Sequence, residues 1–173
     1  MSELDDFRAQ KNHYFKHDPQ SPLTPEQRKE FTGLKYYPEN SALRLAVPVE
    51  QYPDKDTVTI ITSTGSAQEY LKYGQFSFDV DGQAATLQVY QDADNGSFFL
   101  PFVDATAPAE TYGAGRYLDI EPIGDGNFLI DFNYAYNPYC AYNENWSCPL
   151  PPKDNRLKVR IEAGEKKFKE DFS

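Results

Sequence analysis

The segment from Asp131 to Pro152 constrains this chain most, because its 22 residues combine many aromatic rings with very few charges. It contains four tyrosines, four prolines, four asparagines, the single Trp and both cysteines, but two carboxylates and no Lys or Arg. A disordered linker carries fewer aromatic residues, and an exposed loop carries more charge. The composition therefore predicts an ordered loop that forms a site, without specifying a reaction.

Length and composition bound the fold. The 173 residues suffice for one substantial core, so we expect a single domain over residues 1–173. Aromatic residues make up 15% of the chain, and 10 Gly and 13 Pro accompany them. These residues favour strands and turns over a helical bundle.

The charge of the chain argues against two classes of partner. A net charge of −10 repels phosphate backbones and anionic lipid heads, so we expect neither nucleic acid nor a membrane as partner. The sequence shows no signal-peptide pattern and no apolar run of 18 residues. We therefore expect a cytoplasmic location, in which the two cysteines stay as thiols.

Periodicity predicts a helical N-terminal cover over residues 1–33. In the segment from Glu3 to Lys16, one face carries the apolar residues Leu4, Phe7, Tyr14 and Phe15, and the opposite face carries His13 and His17. A second short helix is predicted by a capping-box pattern made of Thr24, Pro25 and Gln27, with Gly33 as its stop.

Residues 42–164 have the patterns of a β core. Strands are predicted at Leu43–Val47, Val58–Ile60, Phe98–Val103, Arg116–Ile120, Asn127–Asn133 and Arg156–Ile161, and a hairpin at Phe76–Val89 turns at Asp81-Gly82. We predict an all-β core of about eight strands, an antiparallel barrel or sandwich, behind two N-terminal helices. The charged tail, residues 165–173, is expected to fray.

Arg116 opens one predicted strand on the same face as Leu118 and Ile120. A guanidinium on an apolar face needs a carboxylate or a ligand as partner. The simpler alternative is that its long side chain reaches water from the strand end, and we favour that alternative.

Asp131 and Asn133 share one strand face, and Phe128, Ile130 and Phe132 share the other. If the aromatic face makes the core, the polar pair points toward the loop and helices that cover the sheet. A carboxylate there could act as a general base or hold a cation. It could equally do no more than anchor the loop through backbone N–H groups.

Cys140 and Cys148 are separated by seven residues, unlike the spacing of a redox CxxC motif or a usual zinc knuckle. A Cys2His2 zinc site would require His13 and His17 as well. Exposed histidines and small buried thiols explain these residues more simply, so we predict no metal site.

The aromatic loop either lines a pocket or forms its own miniature core. On the pocket hypothesis, rings stack on a ligand and Asn amides bind its polar edge. The candidate pocket residues are Arg116, Asp119, Asp131, Asn133, Tyr136, Asn137, Cys140, Tyr142, Asn143 and Cys148. The chain lacks the dinucleotide, Walker and nucleophile-elbow patterns, so catalytic residues and cofactors stay unassigned.

Several segments are distinctive enough for comparison with a known family. They are, in chain order, SPLTPEQRKEFTGLKYYP, FFLPFVDAT, ETYGAGRYLDIE, DFNYAYNPYCAYNENWSCPLPP and NRLKVRIEAGEK. Together they resemble, over nearly the whole chain, the bacterial and archaeal family catalogued as domain of unknown function 1684. The resemblance supports a single domain and implies no particular activity.

Three functional hypotheses follow. The first is a small-molecule-binding domain, which could be an enzyme, with a pocket under the Asp131–Pro152 loop. The second is a thiol or metal-binding protein that uses Cys140 and Cys148. The third is an interaction module that presents the aromatic loop to a protein partner.

Overall fold

The computed structural model describes residues 3–143 and 146–168. Two helices open the chain, α1 (Glu3–His17) and α2 (Pro25–Glu30). The strands are β1 (Arg44–Pro48), β2 (Glu50–Gln51), β3 (Thr57–Ile61), β4 (Ala67–Val80), β5 (Gln83–Asp92), β6 (Phe98–Phe102), β7 (Arg116–Leu118), β8 (Glu121–Gly124) and β9 (Asn127–Asp131). Short 3₁₀ helices lie at Ser41–Leu43, Phe132–Tyr134, Tyr139–Ala141 and Lys153–Asn155.

The strands of the described residues form two antiparallel sheets. One has the order β1-β9-β8, and the other has the order β2-β4-β5-β6-β7, with β3 also paired to β4. The prediction of an all-β core behind two helices is confirmed. The sheets stay separate and do not close into a barrel.

The hairpin of β4 and β5 is confirmed in its register. Phe78 lies opposite Ala85 and Phe76 lies opposite Leu87. The turn residues Asp81 and Gly82 have φ values of 49° and 82°, as a two-residue type I′ turn requires. All four paired side chains are buried, so the turn chemistry and the apolar alternation specify the same register.

Apolar side chains from both sheets form the main core. β9 contributes Phe128 and Ile130, and β4 to β7 contribute Phe76, Leu87, Leu100, Phe102 and Leu118 among others. Leu129 and Asp131 alternate with the core residues of β9 and are only half-buried. The second face of β9 is therefore available for a site.

Residues 156–161 do not form the strand that their alternation predicts. The segment bonds to residues 103–105 through Leu157 N to Val103 O (2.7 Å) and Ala105 N to Val159 O (2.9 Å). The next N–H that faces this way, that of Ile161, donates to the Asp104 carboxylate at 2.6 Å. A side chain replaces the backbone partner, so the pairing stops.

Both N-terminal helices are confirmed, with small differences in detail. In α1, Leu4 and Phe15 are buried, but Phe7 is 41% exposed. The capping box of Thr24 and Gln27 forms as predicted. α2 ends at Glu30, with Phe31 as its C-cap, before the predicted stop at Gly33.

Two glycines with almost equal backbone angles provide a test of the packing near the C-terminal segment. Gly164 (φ 81°) and Gly82 (φ 82°) both have left-handed backbones. A Cβ on Gly164 would lie 2.7 Å from Ala135 O, whereas a Cβ on Gly82 would meet nothing within 4 Å. The two positions have almost the same φ and differ in the space available to a side chain.

We expect Gly82→Ala to lower the free energy of unfolding by about 1 kcal/mol, because only the backbone is strained. Gly164→Ala should lower it by about 1–3 kcal/mol more, because the backbone of Ala135 must also move. Urea denaturation followed by circular dichroism measures both. Equal losses in the two variants would contradict the close packing at Gly164.

Candidate functional site

A cavity of about 870 Å³ lies between α1 and the second face of β9. This size is within the range of small-molecule sites. Three parts of the chain line it. α1 contributes Glu3, Phe7, Gln10, Lys11, Tyr14 and Phe15; the sheet strands and the β7–β8 turn contribute Arg44, Leu118, Asp119, Glu121, Leu129 and Asp131; the aromatic loop contributes Tyr134, Tyr136 and Tyr139.

One wall of the cavity is aromatic. The ring of Phe7, on α1, packs edge-on against Tyr134 with 5.0 Å between centroids. Tyr136 donates its hydroxyl to Asp119 Oδ1 at 3.0 Å. Burial, and next the charge of Asp119, raise the pKa of Tyr136, so its hydroxyl stays protonated and acts as a donor.

The cavity carries an excess of negative charge. Four carboxylates line it, from Glu3, Asp119, Glu121 and Asp131, against the two cations of Lys11 and Arg44. Arg44 Nε lies 3.6 Å from Asp131 Oδ2, and Lys11 pairs with Glu165. Both cations therefore already have an anionic partner.

Arg116 is placed by its strand into the core and does not line the cavity. The expectation that its side chain reaches water is wrong, because the residue is 1% exposed. Its guanidinium lies 3.3 Å from Asp104 Oδ1 and donates to three backbone carbonyls, those of Ile161 (2.9 Å), Ala163 and Glu165 (3.1 Å). Burial lowers the pKa of Arg116, and the charge of Asp104 opposes that change.

Glu165 joins the C-terminal segment to both walls of the cavity. Its Oε1 accepts from the backbone N–H of Asn137 (3.0 Å) and from the Tyr142 hydroxyl (2.7 Å), and its Oε2 pairs with Lys11. Glu165 is buried, so the expectation of a fraying tail is wrong at its first residue. Residues 169–173 of that tail lie outside the described residues.

Asp131 and Asn133 anchor the start of the aromatic loop. Asp131 Oδ1 accepts from the backbone N–H (3.0 Å) and the side-chain amide (2.9 Å) of Asn133. Asn133 in turn accepts from Asn40 N at 2.8 Å and donates to Asn40 O at 3.0 Å. Asp131 still faces the cavity, whereas the amide of Asn133 is used to hold the backbone.

Cys140 and Cys148 are both buried and both free. The backbone N–H of Cys140 donates to Cys148 Sγ with 3.3 Å between nitrogen and sulfur. A hydrogen bond from the Cys148 thiol lowers the pKa of Cys140 to about 6, and the same interaction raises the pKa of Cys148. The two thiols are therefore neighbours with unequal acidity.

The structure divides the ten candidate pocket residues into two groups. Asp119, Asp131 and Tyr136 line the cavity. The other seven lie elsewhere: Arg116, Asn133, Asn137, Cys140, Tyr142, Asn143 and Cys148. Asn137 and Tyr142 bind Glu165, and the two cysteines belong to a separate buried cluster with Tyr117.

Sequence reasoning missed most of the helix side of the cavity. Phe7 was placed on an apolar face, but nothing in the pattern indicates that this end of the stripe faces a void. Lys11 and Arg44 give no signal, because their partners are distant in sequence. Tyr134 and Tyr139, two further tyrosines of the aromatic loop, also line the cavity.

Residues 3–143 and 146–168 contain no group of three or more His, Cys, Asp or Glu side chains that could hold a metal ion. His13 and His17 are exposed on α1, with 4.6 Å between their ring centroids, and do not join the cysteines. Within the described part of the chain, every helix is too short or too polar to cross a membrane.

The fold and the cavity together define an acidic, two-sheet β domain with a helical cover. Residues 29–166 match the family described as protein of unknown function DUF1684. The chain belongs to this family, which confirms the resemblance found in its sequence segments.

A solved relative shares the fold. The solution NMR structure of an uncharacterised protein from Haloarcula marismortui is 35% identical, with a TM-score of 0.72. The match covers 95% of this chain and 92% of that chain. No curated protein matches the chain.

The buried Arg116 provides a stability test. We expect Arg116→Met to lower the free energy of unfolding by about 3–5 kcal/mol, because it leaves the buried Asp104 carboxylate without its cationic partner. The exposed pair of Arg160 and Glu110 supplies the control, and Arg160→Met should leave the unfolding midpoint nearly unchanged. Urea denaturation measures both, and equal effects would show that burial of the pair does not matter.

The unequal thiols provide a pH test. We expect alkylation of Cys140 by iodoacetamide to rise with pH through a midpoint near 6, because the thiolate is the reactive form. Mass spectrometry of labelled peptides at a series of pH values measures the midpoint. In Cys148→Ala the midpoint should move up, because Ala has no side-chain hydrogen-bond donor. A midpoint near the ordinary thiol value in the wild type would show that this hydrogen bond does not form.

Proposed function

We propose that the protein binds a small organic cation, such as an amine with an aromatic or aliphatic body, in the cavity between α1 and β9. The observation that carries the proposal is the combination of aromatic rings and excess carboxylates around one hollow of about 870 Å³. Binding sites for small molecules are usually hollows of this kind, with few polar groups that fix orientation.

The charges of the lining favour a cation over an anion. Lys11 and Arg44 are already paired with Glu165 and Asp131, so an anionic ligand would have to displace a carboxylate. Asp119 is exposed and accepts a hydrogen bond from Tyr136, a neutral donor, so its carboxylate keeps its charge for a ligand. An ammonium group beside Asp119 would supply that compensation.

The aromatic rings that line the cavity also favour an organic cation as ligand. Tyr134, Tyr136 and Tyr139 line one side and Phe7, Tyr14 and Phe15 line the other. Faces of aromatic rings attract cations and also bury the apolar body of an organic ligand. The proposal concerns binding of the cation.

The interaction-module alternative has weaker support. Trp146 is 39% exposed, but Tyr142 is fully buried and Tyr139 packs against Phe15 on α1. Most rings of the loop therefore face inward. A cytoplasmic location, and the absence of nucleic-acid and membrane partners, stay predictions from the sequence.

A thermal-shift screen tests the proposal. We expect a set of organic amines to include ligands that raise the melting temperature, with matched carboxylic acids and neutral analogues inactive. An amine at a hundred times its dissociation constant should stabilise the fold by about 2.7 kcal/mol. Asp119→Asn should abolish the shift, because it removes the charge and keeps a hydrogen-bond acceptor for Tyr136.

Glu69→Gln provides the matched control, since Glu69 is exposed on β4 and lies outside the cavity lining. Its variant should bind the amine as the wild type does. Stabilisation by carboxylic acids alone, or an amine shift that Asp119→Asn leaves intact, would overturn the proposal.

A further inference from the structure

The cysteine pair lies apart from the cavity and has a geometry of its own. Cys140 lies in the 3₁₀ helix Tyr139–Ala141, and Cys148 lies later in the same loop, next to the isolated bridge between Thr62 and Pro149. The backbone nitrogen of Cys140 is 3.3 Å from Cys148 Sγ, and the two residues are 6% and 7% exposed. These contacts place both cysteines in one buried cluster, with the Cys148 sulfur against the backbone of Cys140.

The surroundings fix Cys148 from the side of β3. Ser63 N donates to Cys148 O at 2.9 Å, and Cys148 N donates to Ser63 Oγ at 3.1 Å. On the other side, the Tyr112 hydroxyl lies 3.7 Å from Cys140 Sγ. Thiols that only fill space in a core need neither the two hydrogen bonds between Ser63 and Cys148 nor a hydroxyl beside the sulfur.

We propose that Cys140 and Cys148 are a redox pair that forms a reversible disulfide, with a small peroxide as the oxidant. Burial selects a small oxidant, because hydrogen peroxide is a small neutral molecule, whereas the disulfide of a partner protein is too large to reach sulfur atoms with this exposure. The pair is independent of the amine-binding proposal, since neither cysteine lines the cavity.

The reaction proceeds in two balanced steps. The Cys140 thiolate attacks one oxygen of hydrogen peroxide, so a sulfur–oxygen bond forms, the oxygen–oxygen bond breaks, and hydroxide leaves to become water. The Cys148 sulfur then attacks the Cys140 sulfenic acid. A sulfur–sulfur bond forms, the sulfur–oxygen bond breaks, and a second water leaves with the proton of Cys148. Two thiols are oxidised and one peroxide is reduced.

Cys140 is the residue that reacts first. The Tyr112 hydroxyl lies 3.7 Å from Cys140 Sγ, where it can donate to a thiolate, and the hydrogen bond between the two thiols lowers the pKa of Cys140. The pKa of Cys148 is raised, which suits a thiol that attacks only after the sulfenic acid has formed.

The experiment treats the reduced full chain with hydrogen peroxide and measures its intact mass and its cross-linked peptides. We expect loss of two hydrogens, a Cys140–Cys148 cross-link, and full reversal by dithiothreitol. Addition of oxygen without loss of hydrogen, or no reaction, would overturn the proposal. This measurement uses the wild-type protein, so its result does not depend on whether a cysteine variant folds.

Two variants test the order of the steps. In Cys148→Ser the reaction should stop at the Cys140 sulfenic acid, which dimedone traps, and in Cys140→Ser little adduct should form on Cys148. Thermal melting shows whether each variant keeps its fold. Equal trapping in both folded variants would overturn the assignment of Cys140 as the first residue to react.

Discussion

The buried guanidinium of Arg116 is the constraint on which the rest of the structure depends. It gathers the carbonyls of Ile161, Ala163 and Glu165 against the end of β7, with Asp104 as its counter-ion. An uncompensated charge at this depth would be far too costly, so the C-terminal segment must follow one path past the core. Van der Waals packing alone would allow that segment several paths.

That path determines where the cavity walls stand. Glu165 is placed by the backbone that Arg116 holds, and its carboxylate binds α1 through Lys11 and the aromatic loop through Asn137 and Tyr142. The helix α1 and the aromatic loop are thus both bound to the carboxylate of Glu165. Glu165 thereby fixes the positions of α1 and the aromatic loop, which line the cavity together with β9.

Local signals predicted the local parts of this structure. The β4–β5 register could be derived because Asp81, Gly82 and the apolar alternation act within one hairpin, and the capping box at Thr24 is equally local. The partners of Arg116 could not be derived, since the carbonyls of residues 161–165 carry no side-chain signal and lie 45 or more positions away. For the same reason the sequence predicts Asp119, Asp131 and Tyr136 as pocket residues but gives no signal for Lys11 and Arg44, which also line the cavity.

The path of residues 161–165 also has a consequence for biosynthesis. These residues follow all nine described strands in the chain. The ribosome therefore exports every strand before it exports the carbonyls that accept hydrogen bonds from Arg116. Until then the nascent sheets hold a cation without its full set of acceptors. Consolidation of the interior must therefore wait for residues 161–165, and α1, although made before the strands, obtains its anionic anchor Glu165 only after all of them.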